Sequence, residues 1–297
     1  MTAYLLLIIT VLLWASNFVV GRGIHELIPP VALAFWRWAA ALLILMPFAA
    51  KPLLMQRDLI CRHWKILTLL GVMAISNFSV FIYMALHFTT AINTALISSA
   101  TPILIVIISG IGYGDRITPK QALGAAVSLT GLLWIISRGD VTVISQVRFS
   151  KGDLWTLAAG LNWALYSVLL RRRPRQLNPV AFLASLIMVG LAALLPVYLW
   201  ELASGTVFQV SLSAAAGVIY IALFPSLLAY VCWNKAVASV GANKAGFFMH
   251  LMPVFSAIMA IGFLDERLEA FHLAGILLIF MGILLVTTTA EAPAQAR

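Results

Sequence analysis

Apolar residues follow one another along this chain in runs of about 20, parted by short clusters of charged, amide, Gly and Pro residues. A run of that length spans a bilayer as a helix, because the hydrocarbon core is about 30 Å thick and a helix rises about 1.5 Å per residue. Lipid offers no partner to free backbone groups, so helices are the expected form. The pattern predicts ten spans, at 3–21, 31–50, 65–85, 93–112, 120–137, 153–170, 180–199, 213–234, 243–263 and 270–289. The uncharged stretch from Leu202 to Asn234 is too long for one span, and Ser204, Gly205, Ser211 and Ser213 assign its first part to a loop.

Composition removes the soluble alternative. Hydrophobic residues make up 63% of the 297 and charged residues 10%, where a soluble domain carries roughly a quarter charged. The net charge of +9 does not point to nucleic acid, because the basic residues sit between the apolar runs. Thirteen of the 19 Lys and Arg fall in connections on the amino-terminal side, five fall on the other, and Arg37 lies inside a span. The positive-inside rule then places both termini in the cytoplasm. The first run lacks a basic leader and a small-residue cleavage site, so it reads as the first helix rather than a signal peptide. Cys61 lies in a polar connection and Cys232 in an apolar run, and both read as free thiols.

The chain also repeats itself. Trp14-Ala15 recurs as Trp163-Ala164, Pro30-Val31-Ala32 as Pro179-Val180-Ala181, and Pro47 as Pro196, all offset by 149 residues. Further on the offset becomes 151, pairing Ala85 with Ala236, Pro102 with Pro253, Arg116 with Arg267, Gly124 with Gly275 and Gly131 with Gly282. Five helices per half is an odd number, so the second half runs inverted. Inverted repeats are a common construction of secondary transporters, with the substrate site near the midplane. The expected division is residues 1–138 for the first repeat, 139–152 for a connecting loop, 153–290 for the second repeat and 291–297 for a cytoplasmic tail.

The same residues carry a family likeness. Trp14-Ala15-Ser16-Asn17, Pro30, the Arg37 region, Tyr83-Met84-Ala85-Leu86, Ala91, Pro102, Gly114-Asp115-Arg116 and Gly124 to Gly131 resemble EamA-type members of the drug/metabolite transporter superfamily. Trp163, Pro253, Asp265-Glu266-Arg267, Gly275 and Gly282 extend the resemblance through the second half. It implies an all-α, ten-helix inner-membrane exporter. Helices 1, 3, 4, 6, 8 and 9 would line a central cavity, with helices 5 and 10 peripheral. Within the superfamily the chain is most similar to the amino-acid and metabolite exporters, the aromatic amino-acid exporters among them.

The residues themselves nominate a site. Pro102 and Pro253 fall near the middles of helices 4 and 9, and each frees the carbonyl four residues back, at Ser98 and Met249. Such a carbonyl binds substrate, opens as a gate, or is re-satisfied by neighbours. Trp14 and Asn17 share a face of helix 1, and Trp163 and Tyr166 repeat that spacing in helix 6, suiting two walls of one cavity. Asn77, Tyr83 and Ser98 add polar candidates in helices 3 and 4, against the alternative that small polar groups merely glue helices together. Trp233, Lys244, Phe247 and His250 extend the set into helices 8 and 9. Lys244 is poised either for a substrate carboxylate or for lipid headgroups. Arg37, between Trp36 and Trp38, is expected to snorkel outward to the interface.

All ten acids fall in expected loops, helix ends or the tail, so the midplane holds no carboxylate. Organic-cation exporters commonly need one there. The substrate class shifts to neutral, zwitterionic or anionic metabolites, with amphiphilic amino acids foremost. Neither a phosphate-binding glycine loop nor a metal-ligand cluster is present, so no cofactor is expected. No paired carboxylates or Ser-His arrangement lies within a span, which argues against an intramembrane enzyme. The expected partners are a small-molecule substrate and the bilayer, with no nucleic acid, and a monomer suffices. A non-transporting membrane subunit would instead show a packed midplane.

Overall fold

A computed structural model describes residues 2–89, 91–98, 100–115, 118–137, 139–140, 150–205, 211–264 and 270–287. Arg116, Arg138, Arg148, the Asp265-Glu266-Arg267 motif, most of the 139–152 connection and the whole 291–297 tail lie outside these residues.

The described residues are helical throughout their long elements. We number the rods α1 (Thr2–Gly23), α2 (Pro30–Met55), α3 (Trp64–Phe88), α4 (Ala91–Ser98 and Thr101–Tyr113), α5 (Pro119–Ile136) and α6 (Lys151–Leu169). α7 (Pro179–Ala203), α8 (Leu212–Val240), α9 (Ala242–Phe247, Phe248–Leu251 and Met252–Leu264) and α10 (Ala270–Thr287) follow, with a short surface helix, Arg57–Arg62, before α3. Rods α1, α2, α3, α7 and α8 are long and apolar enough to cross a membrane, and Thr101–Tyr113 and Leu273–Leu285 are shorter apolar stretches. The chain is a multi-pass, all-helical membrane protein. The loop expected between α7 and α8 is there: α7 ends at Ala203, and α8 starts after Ser211, whose hydroxyl accepts from the Ala214 amide at 3.1 Å.

Local chemistry sets the ends. Pro30 and Pro179 open α2 and α7, where a missing N–H costs nothing. Ser150 and Asp153 form a reciprocal capping box at α6, with bonds of 2.7 and 3.2 Å. Glu201, at the end of α7, caps α2 instead, its two oxygens accepting from the Val31 and Ala32 amides at 3.0 and 2.7 Å. Gly241, at φ +82°, turns the chain between α8 and α9 in a conformation that other residues resist. Cys61 is exposed, Cys232 is buried, and both are free.

Four rods depart from regular α-helix. α3 widens into a π-helical stretch at Val72–Asn77, and α8 does so at Ala222–Leu228 around Pro225. α4 is interrupted just before Pro102, and α9 tightens to 3₁₀ at Phe248–Leu251 just before Pro253. The two prolines therefore sit in the first turn of a new helical segment, where they are tolerated, rather than kinking a continuous rod.

Helix contacts come in couples. α1 packs on α8 and α6 on α3; α1 packs on α9 and α6 on α4. Exchanging each rod with the one five places on converts one member of a couple into the other. α3 on α7 and α2 on α8 form a third couple, while the α2–α7, α4–α9 and α5–α10 contacts map onto themselves. The α5–α10 approach is closest at glycine. A Cβ at Gly131 would lie 2.6 Å from the Gly275 carbonyl oxygen, and one at Gly282 would lie 2.6 Å from the Ser128 Cβ. Gly131 and Gly282 thus permit the close approach of two helices that pack chiefly on each other.

Candidate functional site

Trp163 lies at the centre of the molecule, fully buried. Its ring meets Trp14 edge-on at 4.9 Å, Phe78 at 4.7 Å, Tyr166 at 4.9 Å, Tyr230 at 5.4 Å and Trp233 at 5.7 Å. Trp14 and Trp163, equivalent in the two halves, are thus in direct contact. Aromatic pairs at such separations and tilts each add about 0.5–1.5 kcal/mol beyond area burial. The Trp14 indole donates to the Pro225 carbonyl at 3.3 Å, whereas the Trp163 and Trp233 indole nitrogens are buried with no partner.

A chain of polar groups runs beside these rings. Pro225 lacks an N–H and so frees the Ile221 carbonyl four residues back; the Ser226 hydroxyl takes up that carbonyl at 2.7 Å. Ser226 Oγ then accepts from Arg37 Nε at 2.9 Å. Arg37 Nη1 donates to the Tyr83 hydroxyl at 2.7 Å, and Tyr83 donates to Asn17 Oδ1 at 3.0 Å. The guanidinium also lies 4.8 Å from the Trp38 ring centroid. In the second half, Tyr166 donates to Asn234 at 2.8 Å. Asn17 corresponds to Tyr166 at the 149 offset and Tyr83 to Asn234 at 151, so one hydrogen bond occurs twice with its residue types exchanged.

Arg37 overturns its expected placement. It is 2% exposed and turned inward, while its neighbour Trp36 faces out and Trp38 is buried. The reason is that hydroxyls and aromatic faces await it inside, where snorkelling would leave Ser226 and Tyr83 without their donor.

These groups border a cavity. Trp14, Asn17 and Arg37 line it from one half, with Ser98 and Thr101 on α4. Gly160 of α6, together with Met249 and Met252 of α9, closes it from the other. Ser98 and Met249, the positions whose carbonyls the prolines were expected to free, therefore meet at the same spot. Its volume is about 10 Å³, room for about one water molecule. Pockets for drug-sized ligands are about 300–1,000 Å³. The central cavity implied by the resemblance is closed down to this volume in the structure.

Not every candidate reaches the centre. Asn77 is half-buried on the π-helical stretch of α3 and does not border the cavity. Lys244 lies half-buried in the first segment of α9. Phe247 packs with Val106 against Ala125, and His250 is fully buried, its Nδ1 bonded to the Ser128 hydroxyl of α5. Tyr230, Ser226 and Phe78 are central and were not among the expected residues. Pro225 inside a span was the available signal for Ser226, since a freed carbonyl calls for a nearby hydroxyl.

A second hollow, of about 500 Å³, opens where the α6–α7 connection meets the α8–α9 turn, lined by Arg171, Arg173 and Arg175 with Gly241 and Ala242. At its side Asp115, just past α4, pairs with Arg171 and accepts from Ser109 at 2.5 Å. Burial pushes the Asp115 carboxyl up, but the Arg171 and Ser109 hydrogen bonds and the Arg171 charge outweigh it and hold the carboxyl below its ordinary range. A depressed carboxyl stabilises the fold above its unfolded value of 3.8 and loses that contribution as pH falls through the folded value. Asp115→Asn should therefore lower stability by less than about 1 kcal/mol at neutral pH, because solvent screens so exposed a pair. Thermal unfolding at pH 7 and at pH 3 checks this, with the deficit expected to shrink at the lower pH.

An all-helical bundle with five rods long and apolar enough to cross a bilayer is the architecture of an integral membrane protein. The chain belongs to the EamA-like transporter family, whose model matches residues 1–137 and 150–288. The uncharacterized transporter YyaM of Bacillus subtilis (strain 168) is 27% identical over 89% of this chain and 86% of its own. A probable amino-acid metabolite efflux pump of Escherichia coli (strain K12) is 24% identical over 94% of this chain and 92% of its own. A solved crystal structure, 19% identical, superimposes with a TM-score of 0.71 over 96% of this chain and 97% of that one, so the fold is shared.

Proposed function

We propose that this protein is a secondary transporter of the bacterial inner membrane, exporting small amphiphilic metabolites, amino acids with aromatic or hydrophobic side chains foremost. Ten spans form two inverted repeats, residues 1–138 and 153–290, joined by 139–152, with both termini cytoplasmic. Transport proceeds by alternating access as one repeat rocks against the other. The observation that carries this reading is the direct Trp14–Trp163 contact above a cavity bordered by Ser98 and Met249. Equivalent positions of two repeats facing one another are what a substrate site at a repeat interface requires. The efflux-pump relative supports the amino-acid class.

In this reading the closed centre is an occluded state, and the arginine-lined hollow is the cytoplasmic vestibule. The interrupted α4 and α9 are where the rods flex, at Pro102 and Pro253. Trp14, Trp163 and Trp233 receive the apolar part of the substrate, beside Tyr83, Tyr166, Asn17 and Ser98. Lys244, Phe247, His250 and Asn77 belong to the path rather than to the centre.

The closed centre also favours a second reading, a non-transporting membrane subunit. Proteoliposomes containing only this protein separate the two. Counterflow of labelled phenylalanine, tryptophan or leucine above protein-free vesicles is the expected result. Absence of flux for every amino acid removes the cargo, and absence for other metabolites as well leaves the subunit reading.

A further inference from the structure

We infer that Arg37 is the substrate's anchor: the exported molecule carries a carboxylate, and the inward-facing guanidinium receives it at the centre. This deepens the export reading above and rests on it.

A guanidinium presents five N–H donors. Arg37 spends one on Ser226 and one on Tyr83, and the other three have no partner among the described residues. Both hydroxyls already donate elsewhere, to the Ile221 carbonyl and to Asn17, so each offers Arg37 a lone pair and nothing more. The arginine is oriented by neutral groups and left without a counter-charge. The ion pairs among the described residues are Arg57–Asp58 and Arg171–Asp115, both remote from the centre. Among the described residues no acid borders the cavity.

Burying a cation without an anion is expensive, and such groups in membranes are retained where they act on something. The surroundings hold further unpartnered groups, the Thr101 hydroxyl on the cavity wall among them. The indole N–H groups of Trp163 and Trp233 are buried without partners, one aromatic ring beyond the cavity wall formed by Trp14 and Phe78. A centre with surplus donors and one positive charge is complementary to an acceptor carrying one negative charge. A carboxylate also matches the planar guanidinium fork. A phosphate dianion would call for more than one cation, and among the described residues Arg37 is the cation that lines the cavity. Phe18, Phe78, Met249 and Met252 make the remaining wall apolar, so the carboxylate belongs to a molecule with an apolar body.

The position equivalent to Arg37 in the second half is Leu186, at the 149 offset. The charge is therefore single, and the anchor stays on one repeat throughout a cycle.

The test uses the full chain in lipid nanodiscs with four probes: phenylalanine, phenylalaninamide, phenylacetate and phenethylamine, read by intrinsic tryptophan fluorescence and thermal shift. A charge-assisted hydrogen bond to the carboxylate predicts the two acids binding about tenfold to a hundredfold more tightly than the amide and amine. Arg37→Gln should erase that preference, and Arg37→Lys should restore part of it by returning the charge without the fork. Arg37→Gln removes a buried tether, so the wild-type acid-to-amide ratio and Tyr83→Phe, which retains the arginine but loosens it, provide readouts that survive poor folding of that variant. In Tyr83→Phe the acids should weaken more than the amide. Equal binding of acids and amide, or no response to either acid, overturns the proposal; in the first case the export reading stands. Arg37-dependent binding of phenylacetate without binding of phenylalanine supports the anchor and removes the amino-acid cargo instead.

Discussion

Truncating Trp163 to alanine should destabilise the protein by about 3 kcal/mol or more and abolish export. Trp→Ala in a packed core costs about 3–5 kcal/mol, part from transfer and part from the cavity left behind. In a bilayer the unfolded reference is itself apolar, so the transfer part shrinks and the lost contacts dominate. Those contacts are many here, since five aromatic rings meet Trp163, four of them buried and Phe78 half-buried. Trp163→Phe keeps much of the packing and removes an indole N–H that has no protein partner, so it should cost far less stability. Unfolding in mixed micelles, together with flux in proteoliposomes, separates the effects. Trp163→Ala retaining wild-type flux would contradict the placement of the substrate among these rings.

Gly282→Leu should be comparably severe for a different reason. An added Cβ would lie nearest the Gly124 carbonyl oxygen, with the Ser128 Cβ at 2.6 Å and the Ser128 backbone nitrogen at 2.7 Å, and backbone cannot turn aside as a side chain does. Overpacking typically costs about 1–3 kcal/mol, and a clash with a facing helix backbone belongs at or above the top of that range. Gly131→Leu should behave alike, because it meets the Gly275 carbonyl from the other side of the same contact. Gly112 is the control: nothing lies within 4 Å of a Cβ there, so Gly112→Ala should be neutral or gain up to about 1 kcal/mol of helix propensity. Loss of folded yield in Gly282→Leu, with unchanged substrate preference in what survives, would assign α5 and α10 to scaffolding. A wild-type melting curve for Gly282→Leu would contradict the packing described.

The rods were legible because their signal is length in an apolar environment. The span expected at 3–21 is Thr2–Gly23, and that at 180–199 is Pro179–Ala203. Termini extend further where a cap lies outside the apolar run, as with Val240, which is carried past Lys235 to the glycine turn. The aromatic centre was legible too, since Trp14 and Trp163 repeat at one offset. The direction of Arg37 was not. A rod that is apolar on every side does not reveal which face meets lipid, and two flanking tryptophans suit an interface as well as a core. The partner of His250 was not legible either: Ser128 is 122 residues away, beyond the reach of local pattern. The π-helical stretches of α3 and α8 leave no compositional trace apart from Pro225.

The Asn17–Tyr83 and Tyr166–Asn234 bonds have a further consequence. If the two repeats were identical, the inward-open and outward-open forms of the proposed cycle would be the same shape with the halves relabelled, and equal in energy. Their difference in resting population must then come from positions where the halves disagree. At the centre they include Asn17 against Tyr166, Phe18 against Ser167, Arg37 against Leu186, Tyr83 against Asn234, Ser98 against Met249 and Thr101 against Met252. Direction of bias is thereby carried by the side chains that line and adjoin the closed cavity, and exchanging them pairwise between the halves is the route to a protein that rests facing the other way.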